Sequence, residues 1–125
     1  RKQKNKPLKS ACLNVDTAFI TAWSNDDNFD NIFSRQIEST GNVGDVLITL
    51  TTSGNSKNIL NVLSKAKKLG LTTISFTGNE GGEAKTISDY NININHKSTP
   101  RIQEMHILIG HIICDIVESE CNLNP

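Results

Sequence analysis

The sequence has few cysteines, few aromatic residues and no excess of either charge. Its 125 residues include three cysteines, Cys12, Cys114 and Cys121, whose spacing matches no metal-binding knuckle. An odd number of cysteines without a Cys-rich framework is typical of a reducing compartment, so we expect the cytoplasm. Thirteen basic residues balance thirteen acidic ones, so no net field directs the chain to nucleic acid or to a membrane surface.

Long apolar runs are also absent from the sequence. No stretch is long enough to span a bilayer, and no signal-peptide pattern is present. Residues 1–9 carry five basic residues, but no aromatic residue interleaves with them to stack on bases. We interpret this segment as a basic loop or frayed terminus, and we expect neither a nucleic-acid nor a membrane partner.

A short apolar run followed by a polar turn lies near the middle of the chain. Residues 46–50 read Val-Leu-Ile-Thr-Leu, which predicts a strand buried on both faces. Residues 57–69 place apolar side chains at helical spacing, which predicts a helix. Residues 51–56, which we call the hydroxyl turn, hold four hydroxyl side chains, a glycine and an asparagine: Thr51, Thr52, Ser53, Gly54, Asn55 and Ser56.

The hydroxyl turn has two interpretations. The first amides of a helix lack partners within the helix and carry partial positive charge, so hydroxyls placed beside them suit a phosphate group. Alternatively, Asn55 or Ser56 caps the helix and the other hydroxyls face solvent. A nucleotide P-loop is excluded, because no Gly-Lys-Ser/Thr follows Gly54.

Strands and helices alternate along the chain. Four strands are predicted, near residues 11–15, 46–50, 71–76 and 90–95, with helices between and after them. This order predicts one α/β domain with a parallel sheet and right-handed crossovers. Ligands bind such sheets beyond the carboxyl ends of the strands, where we also place polar clusters at Asn25-Asp26 and Thr77-Gly78. The agreement of these clusters favours phosphate binding over simple capping.

The last predicted helix, opened by Thr99 and Pro100, is mostly apolar but carries Gln103, His106 and His111. Gln103 and His111 are eight residues apart, about 80° around and about 12 Å along a helix, so they can line one broad side of it. A histidine here is either a core residue bonded to a carboxylate or a proton carrier. Because the helix is apolar almost all round, we expect a homo-oligomer, a tetramer, that buries it.

Four segments, in order along the chain, carry a family resemblance. They are Asn25-Asp26 ahead of residues 32–36, residues 44–56 with Thr52-Ser53-Gly54-Asn55-Ser56, residues 76–82, and residues 101–111. Together they resemble the sugar isomerase (SIS) domain, and within it the phosphoheptose isomerases. The resemblance implies a flavodoxin-like, three-layer sandwich with a parallel sheet, of which residues 1–125 form a partial SIS domain that lacks the family's N-terminal helices and first strand.

The resemblance also implies an activity. Phosphoheptose isomerases convert sedoheptulose 7-phosphate to D-glycero-D-manno-heptose 7-phosphate through an enediol, for bacterial ADP- or GDP-heptose and lipopolysaccharide or other surface polysaccharides. It implies zinc held by Gln103 and His111, with His111 also transferring a proton. It assigns contacts with the sugar phosphate to the following residues: Asn25, Asp26, Thr51, Thr52, Ser53, Ser56 and Gln103.

The sequence departs from the family in one chemically important respect. The family's His and Glu, four residues apart, supply two metal ligands and the proposed base, and neither is in this sequence. Gln103 and His111 alone make a weak zinc site, since zinc usually takes three or four protein ligands. We therefore expect the parent protein to be an aldose–ketose isomerase and this stretch alone to be inactive. The alternatives are a non-catalytic SIS-domain protein that binds the replication initiator, and a sugar-phosphate-sensing module.

Overall fold

The computed structural model describes residues 7–123, and most of the predicted basic segment, residues 1–6, lies outside them. A 3-10 helix, Phe29–Asn31, precedes the second α-helix. The strands are β1 (Val46–Thr51), β2 (Thr72–Gly78) and β3 (Tyr90–Ile94). The helices are α1 (Thr17–Asp26), α2 (Ile32–Thr40), α3 (Lys57–Lys68), α4 (Gly82–Ile87) and α5 (Thr99–Leu123).

The three strands form one parallel sheet in the order β1-β2-β3, which confirms the predicted α/β class. The register pairs Thr51 with Thr77 and, one strand further, Thr77 with Asn93. All three carboxyl ends therefore meet at one edge of the sheet, where the hydroxyl turn begins. None of the helices within residues 7–123 combines the length and the apolar character that crossing a bilayer requires.

The prediction of a strand near residues 11–15, the first of the four in chain order, is wrong. Residues 7–16 are irregular in the structure, and only α1 follows as expected, with Asp16 capping it through a 2.9 Å bond from the Phe19 amide. Residues 9–14 and β1 line a common groove of about 620 Å³, which separates them. A strand needs a neighbouring backbone to pair with. Because the groove lies between residues 9–14 and β1, this segment does not pair with β1 in the described chain.

Helices α2, α3 and α4 pack on one face of the sheet and form the core. The cluster is apolar and nearly solvent-free, and its members are Ile37, Leu47, Val62, Leu63, Ala66, Leu71 and Ala84. The same face of β2 is polar, since Thr73, Ser75 and Thr77 are completely buried there. Their hydroxyls are bonded to neighbouring polar groups, and this lets the sheet bury them.

Strand β1 is buried on one face, not on both as predicted. Val46, Ile48 and Leu50 are 56%, 47% and 55% exposed, while the residues between them are buried. The reason is the position of α5, which packs against β2 and β3. Within residues 7–123, no element covers this apolar face of β1.

Candidate functional site

A cleft of about 470 Å³ opens between the hydroxyl turn and α5, at the carboxyl edge of the sheet. Its volume lies within the range of about 300–1,000 Å³ typical of small-molecule sites. Five of its seven lining residues carry a hydroxyl, amide or imidazole group, and the other two are aliphatic. The lining residues are Leu50, Thr51, Thr52, Ser56, Gln103, His106 and Ile107.

The hydroxyl turn is shaped by hydrogen bonds to its own backbone. The Gly54 amide donates to Thr51 Oγ1 at 3.2 Å, and the Asn55 amide donates to Ser53 Oγ at 3.1 Å. A hydroxyl oxygen that accepts such a bond keeps its own proton to donate. Thr51, in the cleft wall, can therefore still donate to an anion.

The start of α4 and the turn that precedes it hold the hydroxyl turn in place. Asn55 Oδ1 accepts from the Glu83 amide at 3.0 Å, and the Gly54 carbonyl oxygen accepts from the Ala84 amide at 2.9 Å. Gly54 has φ +69°, and a Cβ there would lie 1.9 Å from the Gly81 carbonyl oxygen. Only glycine allows the two backbones to approach this closely, so the shape of the cleft depends on Gly54.

The N-terminus of α3 has no side-chain cap. Ser56 occupies the cap position, but its hydroxyl makes no capping bond, and Asn55 is bonded to the start of α4 instead. Within residues 7–123, the amides of Ser56, Lys57 and Asn58 donate to no protein acceptor. The capping alternative is therefore not realised, and the positive end of α3 stays open beside the cleft.

The opposite wall of the cleft comes from α5, where Gln103 and His106 lie one helical turn apart. Ile102 fixes the helix against the end of β2, because a Cβ at Gly78 would lie 2.4 Å from its Cδ1 atom. The His106 ring adds a second attachment: its Nε2 atom lies 3.0 Å from the Thr77 carbonyl oxygen. This packing sets the distance of Gln103 from the hydroxyl turn.

His106 combines features of both interpretations of the histidines. It is only 2% exposed and packs edge-on against Phe76, with ring centroids 5.6 Å apart, as a core histidine would. Its partner, however, is a backbone carbonyl rather than a carboxylate. It also lines the cleft, so it is a cleft residue that the family resemblance did not assign. The signal available in the sequence was its position three residues after Gln103.

The structure brings together Thr51, Thr52, Ser56 and Gln103 of the expected residues, and it leaves the others outside the cleft. Ser53 is exposed, and its hydroxyl oxygen accepts a hydrogen bond from the Asn55 amide within the turn. His111 is also exposed, two turns further along α5 than Gln103. The remaining pair, Asn25 and Asp26, lies at the end of α1, where their side chains hydrogen bond to each other at 3.2 Å.

The described residues do not make a metal site. Within residues 7–123, no group of three or more histidine, cysteine, aspartate or glutamate side chains is placed to hold an ion. Gln103 lines the cleft and His111 does not, so the two do not converge there. The residues present therefore do not fit zinc, which takes three or four protein ligands.

Among the described residues, no aspartate, glutamate, lysine or arginine side chain lines the cleft, so hydroxyl, amide and helix dipoles dominate its electrostatics. Two carboxylates elsewhere have a lowered pKa. Hydrogen bonds from the Thr73 side chain and backbone and from Lys67 lower the pKa of Asp89 to about 2. Hydrogen bonds from Lys65 and Arg35 lower the pKa of Glu38. Both carboxylates join structural elements and take no part in the cleft.

The family comparison agrees with the geometry of the strand, turn and helix. The family described as SIS domain matches residues 3–78, which include β1, the hydroxyl turn, α3 and β2. The chain belongs to the SIS domain family. The remaining wall of the cleft, on α5, lies beyond the matched residues and is contributed by the same chain.

Related SIS proteins extend the match to α5. The chain is 52% identical over 113 residues to the phosphoheptose isomerase of Sulfurimonas denitrificans, covering 90% of this chain and 58% of that protein. It is 50% identical over 115 residues to that of Clostridium acetobutylicum, covering 92% of this chain and 59% of the relative. The chain thus spans about three fifths of the length of these relatives.

Solved structures show the same fold. The phosphoheptose isomerase GmhA from Neisseria gonorrhoeae superimposes with a TM-score of 0.82 at 40% identity, covering 84% of this chain and 60% of that one. A phosphoheptose isomerase from Francisella tularensis gives 0.83 at 37% identity, covering 86% of this chain and 58% of that one. The architecture of this SIS domain is therefore that of these isomerases over the shared region.

Proposed function

We propose that the protein containing this SIS domain is a phosphoheptose isomerase and that the cleft binds the phosphate group of its sugar substrate. The observation that carries the proposal is the open N-terminus of α3, whose first amides and Ser56 hydroxyl lie unpaired beside the cleft within the described residues. Relatives of that name, about half identical to this chain, support the choice of substrate class.

Phosphate suits this site for a physical reason. Partial positive charge at the start of α3 and several N–H and O–H donors stabilise a dianion without a lysine. Thr51, Thr52 and Ser56 line the cleft and supply the hydroxyl donors. Ser53 is the fourth residue that the resemblance assigns to the phosphate, and it would have to turn inward from its exposed position to contribute.

The proposed reaction converts sedoheptulose 7-phosphate to D-glycero-D-manno-heptose 7-phosphate. A base removes a proton from one of two adjacent carbons to give an enediol, and an acid returns a proton to the other carbon. Within this proposal His111 acts as the acid and Gln103 contacts the substrate. Because His111 is exposed and lies outside the cleft, we propose that its site is completed by groups beyond residues 7–123 or by another subunit.

Three further proposals follow from the family. We propose that zinc joins Gln103 and His111 only with ligands from outside the described residues. We propose that the protein is a homotetramer, since Ile112 and Ile116 on α5 are 49% and 54% exposed and a second copy would bury them. We propose that it acts in the cytoplasm, in heptose synthesis for surface polysaccharide.

Substituting His111 by Ala in the complete protein tests the assignment. We expect turnover of sedoheptulose 7-phosphate to be lost while affinity for inorganic phosphate stays unchanged, because His111 lies outside the phosphate wall. Glu80→Gln, at an exposed turn position outside the cleft, is the control and should retain turnover. Undiminished turnover by the His111→Ala protein would contradict the role of this residue.

The second candidate is a sugar-phosphate-binding module without catalysis. It is favoured by the composition of the cleft wall, which contains binding groups and, among the described residues, no carboxylate that could act as a base. The same assay separates the two functions. A complete protein that binds sedoheptulose 7-phosphate but does not isomerise it, with or without added zinc, would establish the binding module and exclude the isomerase.

A further inference from the structure

The tautomer of His106 is fixed by its partner. Nε2 lies 3.0 Å from the Thr77 carbonyl oxygen, and a carbonyl oxygen can only accept a hydrogen bond. The proton of the neutral ring is therefore on Nε2, and Nδ1 carries a lone pair. The ring thus enters the cleft wall as an oriented hydrogen-bond acceptor.

Nδ1 of His106 has no partner of its own. Among the side chains of residues 7–121, none donates a hydrogen bond to it, and no backbone amide in residues 7–123 does so. His106 is almost completely buried, with 2% of the residue exposed, and it lines the cleft together with Gln103 and Ser56. Nδ1 is not one of the fully buried atoms without a partner in the described residues, which are Trp23 Nε1, Ser34 Oγ and Thr49 Oγ1. It therefore remains accessible to a hydrogen-bond donor that arrives with a ligand.

We propose that Nδ1 of His106 accepts a hydrogen bond from a hydroxyl group of the bound sugar phosphate, and so selects a polyol chain rather than a phosphate alone. The proposal rests on the proposed function, because it takes the phosphate to lie at the start of α3. The hydroxyl turn supplies donors for the anion, whereas His106 supplies an acceptor for a neutral hydroxyl. The two walls of the cleft therefore recognise different parts of one molecule.

Two substitutions separate this role from the structural one. In His106→Gln the side-chain amide nitrogen replaces Nε2, so it can still donate to the Thr77 carbonyl oxygen, but the acceptor at the Nδ1 position is lost. In His106→Asn the amide oxygen replaces Nδ1 and keeps the acceptor, but the bond to Thr77 is lost. One variant thus retains the attachment of α5 to β2, and the other retains the proposed ligand contact.

The experiment measures the affinity of each variant for sedoheptulose 7-phosphate and for inorganic phosphate by calorimetric titration, together with its melting temperature. We expect His106→Gln to bind the sugar phosphate about three- to tenfold more weakly, the effect of one hydrogen bond, with phosphate affinity unchanged. We expect His106→Asn to melt at a lower temperature and to retain sugar affinity relative to phosphate.

Any other result contradicts either the proposed role of His106 or the proposed phosphate site. Equal sugar affinity of His106→Gln and the unsubstituted protein, with both binding phosphate, overturns the role of His106 and leaves the proposed function standing. Loss of sugar affinity in His106→Asn alone, the variant without the bond to Thr77, assigns His106 to the attachment of α5. Equal loss in both variants also overturns the proposal, because retaining the acceptor would then not retain the sugar contact. If the unsubstituted protein binds neither phosphate nor sugar phosphate, the proposed phosphate site fails, and the inference fails with it.

Discussion

At the scale of single residues, Ser56 is the most informative side chain of the cleft. It occupies the cap position of α3 without capping it, so its hydroxyl contributes nothing to the helix through that bond. Its removal should therefore affect a bound anion much more than it affects folding.

Ser56→Ala should weaken phosphate binding about tenfold to a hundredfold, because a hydrogen bond to a charged group contributes about 1.5–3 kcal/mol. The midpoint of unfolding in urea should stay close to that of the unsubstituted protein. Ser64→Ala, at an exposed position two turns along the same helix, is the matched control. Equal phosphate affinity of the two variants would remove Ser56 from the site.

The sequence predicted part of the cleft residue by residue. Thr51 ends β1, and Thr52 and Ser56 come soon after it, so their place at the sheet edge follows from chain order alone. Gln103 reaches the same cleft from α5, and only the family resemblance indicated this. The ring of His106 could not be placed, because its position depends on a backbone carbonyl of β2 that is distant in sequence.

At the scale of elements, two junctions determine the shape of the molecule. One joins the hydroxyl turn to the start of α4 through Gly54 and Asn55. The other joins β2 to the α4–β3 connection through Asp89, which accepts from the Thr73 amide at 2.8 Å and from Thr73 Oγ1 at 2.7 Å. The first junction supports the cleft, and the second supports the sheet away from it.

Gly54→Ala should lower both stability and phosphate affinity. The new methyl group meets the Gly81 carbonyl oxygen at 1.9 Å, and a left-handed backbone costs a non-glycine residue about 1–2 kcal/mol in addition. Gly44→Ala is the matched control, since Gly44 has φ +89° but open space around it. It measures the conformational cost alone in a urea unfolding experiment. Equal destabilisation by the two substitutions would contradict the close approach of the turns.

Asp89 gives the second junction a pH dependence. Its folded pKa of about 2 is below the ordinary value of 3.8, so the stabilisation is fully present above pH 4 and is lost as the pH falls toward 2. Asp89→Asn should therefore lower the melting temperature at pH 6 and flatten its fall between pH 4 and pH 2. Glu80→Gln, at an exposed position that forms no hydrogen bond or ion pair with the described residues, should leave the acid limb unchanged. An unaltered acid limb in Asp89→Asn would contradict the junction.

The prediction of strands from the sequence was correct only where a neighbouring strand is available for pairing. The strands at β1, β2 and β3 were predicted correctly because their apolar and β-branched runs coincide with the paired sheet. Residues 11–15 have the same alternation and form no strand in the described structure, since the groove separates them from β1. Alternating apolar and polar residues indicate which face of a strand would be buried, but they do not show whether a neighbouring strand is there to pair with it.

At the scale of the whole molecule, two apolar surfaces stay uncovered within the described residues. Val46, Ile48 and Leu50 form one on β1, and Ile112 and Ile116 belong to the other on α5. The prediction that β1 is buried on both faces was wrong for this chain, because sequence alone does not say which element covers a face. We still predict that the complete protein is a tetramer and that another subunit covers the apolar surface of α5.

Ile116→Asp should dissociate that assembly, because a carboxylate would be buried in an apolar contact without a partner. Light scattering on the complete protein should give a smaller mass for this variant than for the unsubstituted protein. Ser64→Asp adds the same charge on α3 and should leave the mass unchanged. A monomeric unsubstituted protein, or an intact assembly of Ile116→Asp, would contradict the predicted contact.

The central claim is that the open end of α3 holds the phosphate of a sugar phosphate. Titrating the ¹⁵N-labelled chain with sedoheptulose 7-phosphate, and following its amide resonances, tests this most directly. We predict saturable shifts that are largest at the amides of Ser56, Lys57 and Asn58. Saturable shifts centred elsewhere, with these three amides unmoved, would contradict it.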